Sequence, residues 1–258
     1  MMTPDFHQKV TFVTGAGSGI GREAARQFAA LGAVVYGADL NESGLAETRA
    51  LILSAGGVCE ISRADVAAED DIMRLVAEIE RSFGRLDVAF NNAGITGQAH
   101  RLEEYPTEDF DRVLRINLRS VFLSMKHELP LMKRHGGGVI CNTASVAAIT
   151  GPGGMSAYAA SKHGVHGLTR VAAMENAAHG VRINALAPGW TETPMVKEAS
   201  AQNPSFAALA RTAIPAKRGG TPAEVAAAAV WLCSESSSYV FGQLLVVDGG
   251  MTIGGFEL

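Results

Sequence analysis

Short runs rich in valine, isoleucine and alanine alternate with longer amphipathic segments along almost the whole chain. Such alternation predicts strand and helix units, because parallel strands that are buried on both faces read as nearly continuous apolar runs. Seven of these runs lie at residues 9–14, 34–39, 58–64, 86–91, 138–143, 181–187 and 243–247. We therefore expect an α/β protein with a doubly wound parallel sheet of about seven strands and helices on both faces.

The composition is that of a soluble protein that binds small molecules. The 258 residues are 47% hydrophobic and 19% charged, with a formal net charge of −4, which favours neither nucleic-acid binding nor disorder. No signal-peptide core and no run of about 20 apolar residues occurs, so we expect a cytoplasmic protein without membrane contact. Cys59, Cys141 and Cys233 are far apart in apolar surroundings, which indicates buried thiols rather than a disulfide or a metal site.

The chain has no obvious linker, and we expect residues 1–258 to form a single domain. Residues 188–216 differ from the rest, since they carry four prolines and little periodicity. A long irregular segment in a compact domain is often functional. We interpret residues 190–214 as a lid over a substrate site.

A glycine-rich turn with the sequence TGAGSGIG, residues 14–21, joins the first strand to the first helix. Glycines let the backbone approach a ligand closely, and a helix N-terminus offers free N–H groups and a positive dipole end to phosphate. The spacing of Gly15, Gly19 and Gly21 differs from the common G-x-G-x-x-G pattern, because position 20 is Ile20. The order of strand, turn and helix still predicts a dinucleotide pyrophosphate site.

Asp39 ends the second strand, eighteen residues after Gly21. A carboxylate there can accept hydrogen bonds from an adenosine ribose, and it repels a 2′-phosphate. Ser18 and Leu40 stand where a basic residue would favour NADP, so NAD is the favoured cofactor. The alternative is that Asp39 caps the next helix, a role that Asn41 serves equally well.

Tyr158 and Lys162 are four residues apart, thirteen residues after Ser145 in a hydroxyl-rich segment. Four residues is about one helical turn, so the phenol and the ammonium share a helix face. A nearby cation lowers the pKa of a phenol from about 10, as acid–base chemistry near neutral pH requires. A chance pair at this spacing would instead leave the amine in water.

With these residues assembled, the chain resembles the classical short-chain dehydrogenase/reductase family from residue 10 to about residue 251. The resemblance rests on motifs in a fixed order: TGAGSGIG at 14–21, Asp65-Val66, NNAG at 91–94, Asn117, Ser145, Tyr158 with Lys162, Pro188-Gly189 and Thr193. It implies one Rossmann-like NAD-binding domain that interconverts a secondary alcohol and a ketone by hydride transfer.

The family's catalytic residues correspond to Asn117, Ser145, Tyr158 and Lys162, none of which is substituted. By this resemblance Tyr158 is the acid or base, and Ser145 stabilises the substrate oxygen. Lys162 lowers the pKa of Tyr158 and binds the nicotinamide ribose. Asn117 holds a water in a proton relay.

The resemblance also implies the NAD contacts. In the family, Asp65 and Val66 flank the adenine, and Thr193 meets the nicotinamide carboxamide. The expected cofactor-binding residues are Gly15, Ser18, Gly19, Ile20, Gly21, Asp39, Asp65, Val66, Asn92, Ala93, Gly94, Tyr158, Lys162, Pro188, Gly189, Thr191 and Thr193.

Three segments, residues 95–105, 146–157 and 190–209, are expected to line the substrate pocket, and all are poor in paired charges. The side chains expected in an apolar wall are Ala147, Ala148, Ile149, Met155, Trp190, Met195, Val196, Phe206 and Leu209. We therefore expect a neutral, fairly hydrophobic alcohol or ketone, with cyclic and aromatic compounds among the candidates.

Three alternatives stay open. A 3-oxoacyl thioester reductase would use the same residues, but it normally takes NADP, which the residues at 18 and 40 disfavour. A sugar dehydrogenase could use the polar side chains of Gln98, His100 and Glu103. A non-catalytic dinucleotide-binding protein would share the fold, although the complete catalytic set argues against it.

The resemblance implies a homotetramer as well. Residues 222–233 and 244–247 present apolar surface beyond the needs of one core, and the family places these elements at a subunit contact. The tail, residues 253–258, is expected to reach a neighbouring subunit.

Overall fold

A seven-stranded parallel sheet forms the centre of the protein in the computed structural model, which describes residues 5–202, 212 and 214–253. All seven predicted strands are confirmed, with ends that differ from the expected ones by at most two residues. The strands are β1 (Val10–Thr14), β2 (Val34–Asp39), β3 (Val58–Arg63), β4 (Val88–Asn91), β5 (Gly138–Thr143), β6 (Val181–Pro188) and β7 (Leu244–Val247).

Helices cover both faces of the sheet, as the alternation of the sequence predicts. One core contains apolar side chains of α1, α2 and α8, and the other contains those of α3, α5 and α6. The helices are α1 (Gly19–Ala30), α2 (Glu42–Ser54), α3 (Glu69–Phe83), α4 (Thr107–Leu114), α5 (Ser120–Arg134), α6 (Ser156–Asn176), α7 (Pro194–Gln202) and α8 (Pro222–Cys233).

The strand order is β3-β2-β1-β4-β5-β6-β7, so the direction in which the chain adds strands reverses between β1 and β4. In the register of these two strands, Val13 lies opposite Phe90. Connections that leave neighbouring strands in opposite directions open a crevice at the carboxyl ends of those strands, which is where ligands bind in such sheets. The glycine turn follows β1 and the NNAG turn follows β4, so both border this crevice.

A π-helical turn, Arg115–Arg119, joins α4 to α5. The sequence indicates only an apolar helix here. A π turn accommodates an extra residue and so releases one backbone carbonyl from the usual i to i+4 hydrogen bond, and such turns occur often at functional sites. Asn117 is the middle residue of this turn and is fully buried.

The predicted lid, residues 190–214, is partly described. It contains α7, and Thr191 forms a parallel bridge with Gly220. Phe206 and Leu209, expected in the apolar wall, lie outside the described residues, as do residues 254–258 of the expected intersubunit tail.

The three cysteines are free and buried. Within the described ranges, no group of three or more histidine, cysteine, aspartate or glutamate side chains could hold a metal ion. The same part of the chain has no helix with the length and apolar character needed to cross a membrane.

Candidate active site

A cleft with a volume of about 350 Å³ lies at the carboxyl ends of β1 and β4. Most of the predicted cofactor-binding residues line it. These are Gly15, Ser18, Gly19, Ile20, Asp39, Asp65, Val66, Asn92, Ala93, Gly94, Tyr158, Lys162, Pro188, Thr191 and Thr193.

The glycine turn has the geometry of a phosphate cradle. Gly15 and Gly19 have φ values of +68° and +53°, which strongly favour glycine over other residues. Ser18 precedes α1 but makes no side-chain cap, so the first amides of the helix stay available to an anion. Gly21 lies behind the turn rather than in the cleft, and a Cβ there would sit 2.1 Å from the Gly15 carbonyl oxygen.

Arg22 is the basic side chain closest in sequence to the turn, and it is engaged elsewhere. Its guanidinium donates to the Gly17 carbonyl at 2.5 Å and to Thr48 Oγ1 at 3.1 Å, and it pairs with Glu47 at 2.7 Å. These contacts tie the glycine turn to α2. This role could not be predicted from the sequence, where Arg22 is simply part of an amphipathic helix.

The Asp39 carboxylate lines the cleft, and each of its two oxygens accepts a hydrogen bond from a backbone amide. Its Oδ2 accepts from the Gly17 N–H at 2.9 Å, and its Oδ1 accepts from the Asn41 N–H at 2.9 Å. Asn41 is the residue that caps α2, since its side chain accepts from the Gly44 N–H at 3.0 Å. The alternative role of Asp39 as the helix cap is therefore not what the structure shows.

The NNAG turn is fastened to β1 by Thr14. The hydroxyl of Thr14 accepts from the backbone N–H groups of Asn92 and Ala93 at 2.9 and 3.2 Å, and Asn92 Nδ2 donates to the Thr14 carbonyl at 3.1 Å. These contacts of the threonine side chain were not predicted from the sequence. Its position directly before the first glycine of the turn is the feature that could have indicated a role in holding the NNAG turn.

Ser145 and Tyr158 meet at the opposite end of the cleft from Asp39. Ser145 precedes a short 3₁₀ turn, Val146–Ala148, and its Oγ accepts from the Ala147 N–H at 3.2 Å. Burial raises the pKa of Tyr158, and a hydrogen bond with Ser145 opposes that shift by a smaller amount. Ser145 therefore lies close enough to Tyr158 to affect the pKa of the phenol.

Lys162 is buried, with 3% of its surface exposed, and burial lowers its pKa to about 8. Its Nζ donates to the Thr143 carbonyl at 2.7 Å and lies 5.7 Å from the centre of the Tyr158 ring. The lowering of the Tyr158 pKa by this lysine stays a prediction, because the pKa of the phenol is raised by burial and lowered here by Ser145. The ammonium bonds to a carbonyl of β5, and the effect of burial on the phenol is the larger one.

Asn117 links the two sides of the catalytic end. Its Oδ1 accepts from the Ile95 N–H at 2.8 Å, and its Nδ2 donates to the Ile95 carbonyl at 2.8 Å and to Ser161 Oγ at 3.2 Å. Ser161 in turn donates to the Tyr158 carbonyl at 2.7 Å. Both the oxygen and the nitrogen of the Asn117 amide already have partners, so its role in holding a water stays a prediction. The backbone carbonyl that the π-helical turn releases could bind such a water.

Gly189 does not line the cleft. Its N–H donates to the Val247 carbonyl at 3.0 Å, and a Cβ there would lie 2.6 Å from the Asp248 Cβ. This glycine therefore packs the chain after β6 against the end of β7, and its effect on a cofactor is indirect.

The catalytic end of the cleft is apolar, but through a different set of side chains from the one expected. Met195 and Val196 line it as predicted, together with Ile95, Ile116 and Ala144. Five of the expected wall residues do not line the cleft: Ala147 and Ala148 are buried, Ile149 is 48% exposed, and Met155 and Trp190 are partly buried elsewhere. The sequence missed Ile116 because its position in the cleft depends on the π-helical turn.

A crevice at the strand-order reversal, with a glycine cradle at one end and a tyrosine beside a buried lysine at the other, is the architecture of nicotinamide-dependent oxidoreductases with a Rossmann-like fold. A family model described as Enoyl-(Acyl carrier protein) reductase matches residues 15–252. Together with the relatives described next, this match shows that the chain belongs to the short-chain dehydrogenase/reductase family.

Several relatives match nearly end to end. Levodione reductase from Leifsonia aquatica is 41% identical, over 97% of this chain and 96% of its own length. Cyclohexanol dehydrogenase from Acinetobacter sp. (strain SE19) is 40% identical over 98% of both chains. A 2,5-dichloro-2,5-cyclohexadiene-1,4-diol dehydrogenase from Sphingobium indicum is 41% identical, over 96% of this chain and 98% of its own. The predicted reaction class, alcohol–ketone oxidoreduction, is confirmed.

Solved structures agree with the fold. A crystal structure of levodione reductase superposes with a TM-score of 0.93 at 40% identity, covering 97% of this chain and all of the other. An NAD(P)-dependent gluconate 5-dehydrogenase from Beutenbergia cavernae, with NADP bound at low occupancy, gives a TM-score of 0.91 at 38% identity, over 97% and 99% of the two chains. The family therefore provides a nicotinamide dinucleotide site.

Replacement of Gly21 by alanine should damage this site. The new Cβ would press on the Gly15 carbonyl, a backbone atom that cannot move without distorting the turn. We expect NADH affinity to fall by about tenfold or more, and the free energy of unfolding to fall by about 1–3 kcal/mol. Fluorescence titration with NADH and chemical denaturation measure the two effects.

Gly167→Ala in α6 is the matched control, because a Cβ there meets nothing within 4 Å. It should leave NADH affinity unchanged and stabilise the helix by about 1 kcal/mol. Unaltered NADH binding by the Gly21 variant would contradict the proposed cradle.

Proposed function

We propose that this protein is an NAD-dependent dehydrogenase and ketone reductase for neutral, carbocyclic secondary alcohols and ketones. The observation that carries the substrate class is the apolar lining beside Tyr158, formed by Ile95, Ile116, Met195 and Val196. A polyol in this space would bury hydroxyl groups without partners, at a cost of about 1–3 kcal/mol each. An alicyclic ring would instead gain about 0.8 kcal/mol for each buried CH₂.

The names of two relatives support a ring. One is a dehydrogenase of cyclohexanol and the other of a dichlorinated cyclohexadiene diol. Both are six-membered carbocycles that carry a secondary hydroxyl group. The apolar side chains of this cleft suit the same kind of molecule.

The residues at the catalytic end would handle one proton. NAD, when bound, supplies the hydride acceptor for oxidation and, in its reduced form, the hydride donor for reduction. Tyr158 takes the proton of the substrate hydroxyl during oxidation and returns it to the ketone oxygen during reduction. Its raised pKa keeps the phenol protonated near neutral pH, which suits reduction.

Ser145 and Lys162 would support that proton transfer. Ser145 donates a hydrogen bond to the substrate oxygen as negative charge develops, an effect whose loss costs about 2.7–4 kcal/mol in other enzymes. Lys162, with a pKa of about 8, is mostly charged at neutral pH and favours the phenolate. It is also the residue proposed to bind the nicotinamide ribose, so its loss would weaken cofactor binding as well as catalysis.

A panel of secondary alcohols tests the substrate class. Cyclohexanol and its methylated derivatives should give kcat/KM values about 10 to 100 times those of acyclic polyols, sugar acids and 3-hydroxyacyl thioesters. NADH formation, followed by absorbance, measures the rates. A preference for gluconate or glucose would instead support the sugar-dehydrogenase alternative, and a preference for thioesters the 3-oxoacyl reductase.

Tyr158→Phe tests the proton transfer. Loss of the phenol oxygen removes the acid or base, so kcat for the best alcohol should fall by about 100-fold to 10,000-fold. NADH affinity, measured by fluorescence, should change little. Tyr239→Phe, at a side chain that is 98% exposed, is the control and should keep full activity. Undiminished turnover by the Tyr158 variant would show that another group moves the proton.

The preference for NAD rests on the surroundings of Asp39. Its carboxylate lines the cleft, Leu40 stands beside it, and Arg22 is engaged with Gly17 and Glu47. A 2′-phosphate would meet a negative charge here with no free cation from this arginine. The carboxylate could instead accept hydrogen bonds from both ribose hydroxyls.

Asp39→Asn tests the cofactor preference. Removal of the negative charge should weaken NAD and relieve the repulsion of NADP, so the ratio of kcat/KM for NAD over NADP should fall by about 10 to 100-fold. Asp65→Asn is the matched control, because Asp65 also lines the cleft but lies at the predicted adenine site. It should weaken both cofactors equally. Equal use of NAD and NADP by the unaltered protein would remove the ribose argument.

We also infer a homotetramer in the cytoplasm. Exposed apolar side chains on two helices support a subunit contact: Phe122 on α5 is 47% exposed, and Val171 and Met174 on α6 are 56% and 85% exposed. Trp231 on α8 is 38% exposed. The free, buried cysteines fit a reducing compartment.

A further inference from the structure

Glu128, on α5, is a fully buried carboxyl group that the reaction does not use. Among the residues that the structure describes, its carboxyl group has one hydrogen bond, in which Asn91 Nδ2 donates to Glu128 Oε2 at 3.1 Å. Burial raises the pKa of Glu128 to about 7, and the hydrogen bond from Asn91 opposes that shift. An ionised carboxylate without a cation is costly in an apolar interior, and such a group tends to take up a proton instead.

The orientation of the Asn91 amide is fixed by its neighbours. Its Nδ2 donates to Glu128 Oε2 and to Asn142 Oδ1, each at 3.1 Å. Asn142 is oriented in turn, because its own Nδ2 donates to Thr169 Oγ1 at 3.0 Å. The Asn91 side chain therefore cannot be reversed without placing its oxygen against two acceptors.

Within the described part of the chain, two buried oxygens of this pair have no hydrogen-bond partner: Asn91 Oδ1 and Glu128 Oε1. They are the remaining oxygens of the Asn91 amide and the Glu128 carboxyl group, which already share one hydrogen bond. Two acceptors cannot satisfy each other, but a proton on Glu128 Oε1 would let the carboxyl group donate to Asn91 Oδ1. The pair would then have two parallel hydrogen bonds, as carboxylic acids and amides form.

We propose that Glu128 is a neutral carboxylic acid in the folded protein, paired with Asn91 through two hydrogen bonds, and that this pair positions the NNAG turn at the cleft. Asn91 is the last residue of β4, and Asn92 and Ala93 follow it into the site. Thr14 fastens this turn to β1, and Glu128 fastens it to α5. Glu128 is thus a positioning residue, which acts on the cleft through Asn91.

The charged groups around α5 do not alter this assignment. Several of those on α3 and α5 pair across the two helices, Glu69 with Lys126 and His127 and Glu80 with Arg134, and Arg74 pairs with Asp71 and Glu78 within α3. In the π-helical turn, Arg119 donates to the Ala67 carbonyl. The buried Arg182 of β6 donates to the carbonyls of Leu232 and Ser234, at the C-terminus of α8. The pKa of Glu128 has no contribution from a cation.

Two variants separate charge from shape. Glu128→Gln reproduces the neutral acid, because its amide can accept from Asn91 Nδ2 and donate to Asn91 Oδ1. We expect NADH affinity within about twofold of the unaltered protein. Glu128→Leu fills the space, but Asn91 Nδ2 and Oδ1 then lack the partner that the Glu128 side chain provides. We expect it to weaken NADH by about tenfold at every pH, and Glu128→Gln to be the conservative replacement that avoids this loss.

The pH dependence of stability is the second measurement. A group whose pKa is raised by folding contributes stability below its unfolded pKa of about 4.3, and this is lost as the pH rises through about 7. Denaturation midpoints of the unaltered protein should therefore fall relative to Glu128→Gln over that range. Glu60→Gln, at an exposed glutamate of β3, should not reproduce the change. Infrared spectra near pH 6 should show a protonated carboxyl band that Glu128→Gln lacks.

Three results would overturn the proposal. If Glu128→Gln loses as much NADH affinity as Glu128→Leu, an ionised carboxylate is required. If Glu128→Leu binds NADH normally, the residue has a structural role only. If the stability difference between the unaltered protein and Glu128→Gln is constant with pH, the carboxyl group does not titrate as proposed. None of these measurements uses the alcohol substrate, so they stand apart from the test of the proposed function.

Discussion

The parallel pairing of β1 with β4 is the constraint on which the site depends. At this junction the chain leaves β1 for helices on one face of the sheet and leaves β4 for helices on the other. The two turns must diverge, and the space between them becomes the cleft. Thr14 holds this opening to a fixed width, because its hydroxyl and carbonyl together take three hydrogen bonds from Asn92 and Ala93. The strand order therefore creates the cleft, and the contacts of Thr14 fix its width.

Burial acts on Tyr158 and Lys162 in opposite directions, and both shifts favour the uncharged form. It raises the pKa of the phenol and lowers that of the amine to about 8. The charged pair that the sequence suggested thus has a desolvation cost, which other contacts must offset. The Thr143 carbonyl accepts a hydrogen bond from the ammonium, and Ser145 lowers the pKa of the phenol. The chemistry of the tyrosine depends on this balance more than on its spacing from the lysine.

The sequence was sufficient for the strands, the glycine turn and the residues at both ends of the cleft. Those features follow from local patterns: apolar runs, glycines with positive φ, and pairs at helical spacing. It could not predict the π-helical turn, because the phase shift that one extra residue causes in the apolar periodicity is hard to recognise beside a helix as short as α4. Ile116 and the contacts of Asn117 depend on that turn. Ala147 and Ala148 were misplaced because small apolar residues suit a core and a pocket equally well.

The sequence also could not predict contacts between residues that are far apart in the chain. Glu128 lies in a segment that reads as an ordinary amphipathic helix, and only the packing of α5 on the sheet places it against Asn91. Arg22 likewise looks like a solvated helix residue until the fold brings Gly17 and Glu47 to it. Contacts between residues that are far apart in the chain are set by the fold as a whole, and no single segment encodes them.

The capping of α2 by Asn41 has a consequence for the history of this site. Because Asn41 caps the N-terminus of that helix, the side chain at position 39 is not needed as the cap. A lineage could exchange the acidic group that is proposed to face the ribose for a neutral or basic one and keep the cap of α2. Dinucleotide preference and folding are thereby uncoupled at adjacent positions, and selection can revise the first without endangering the second.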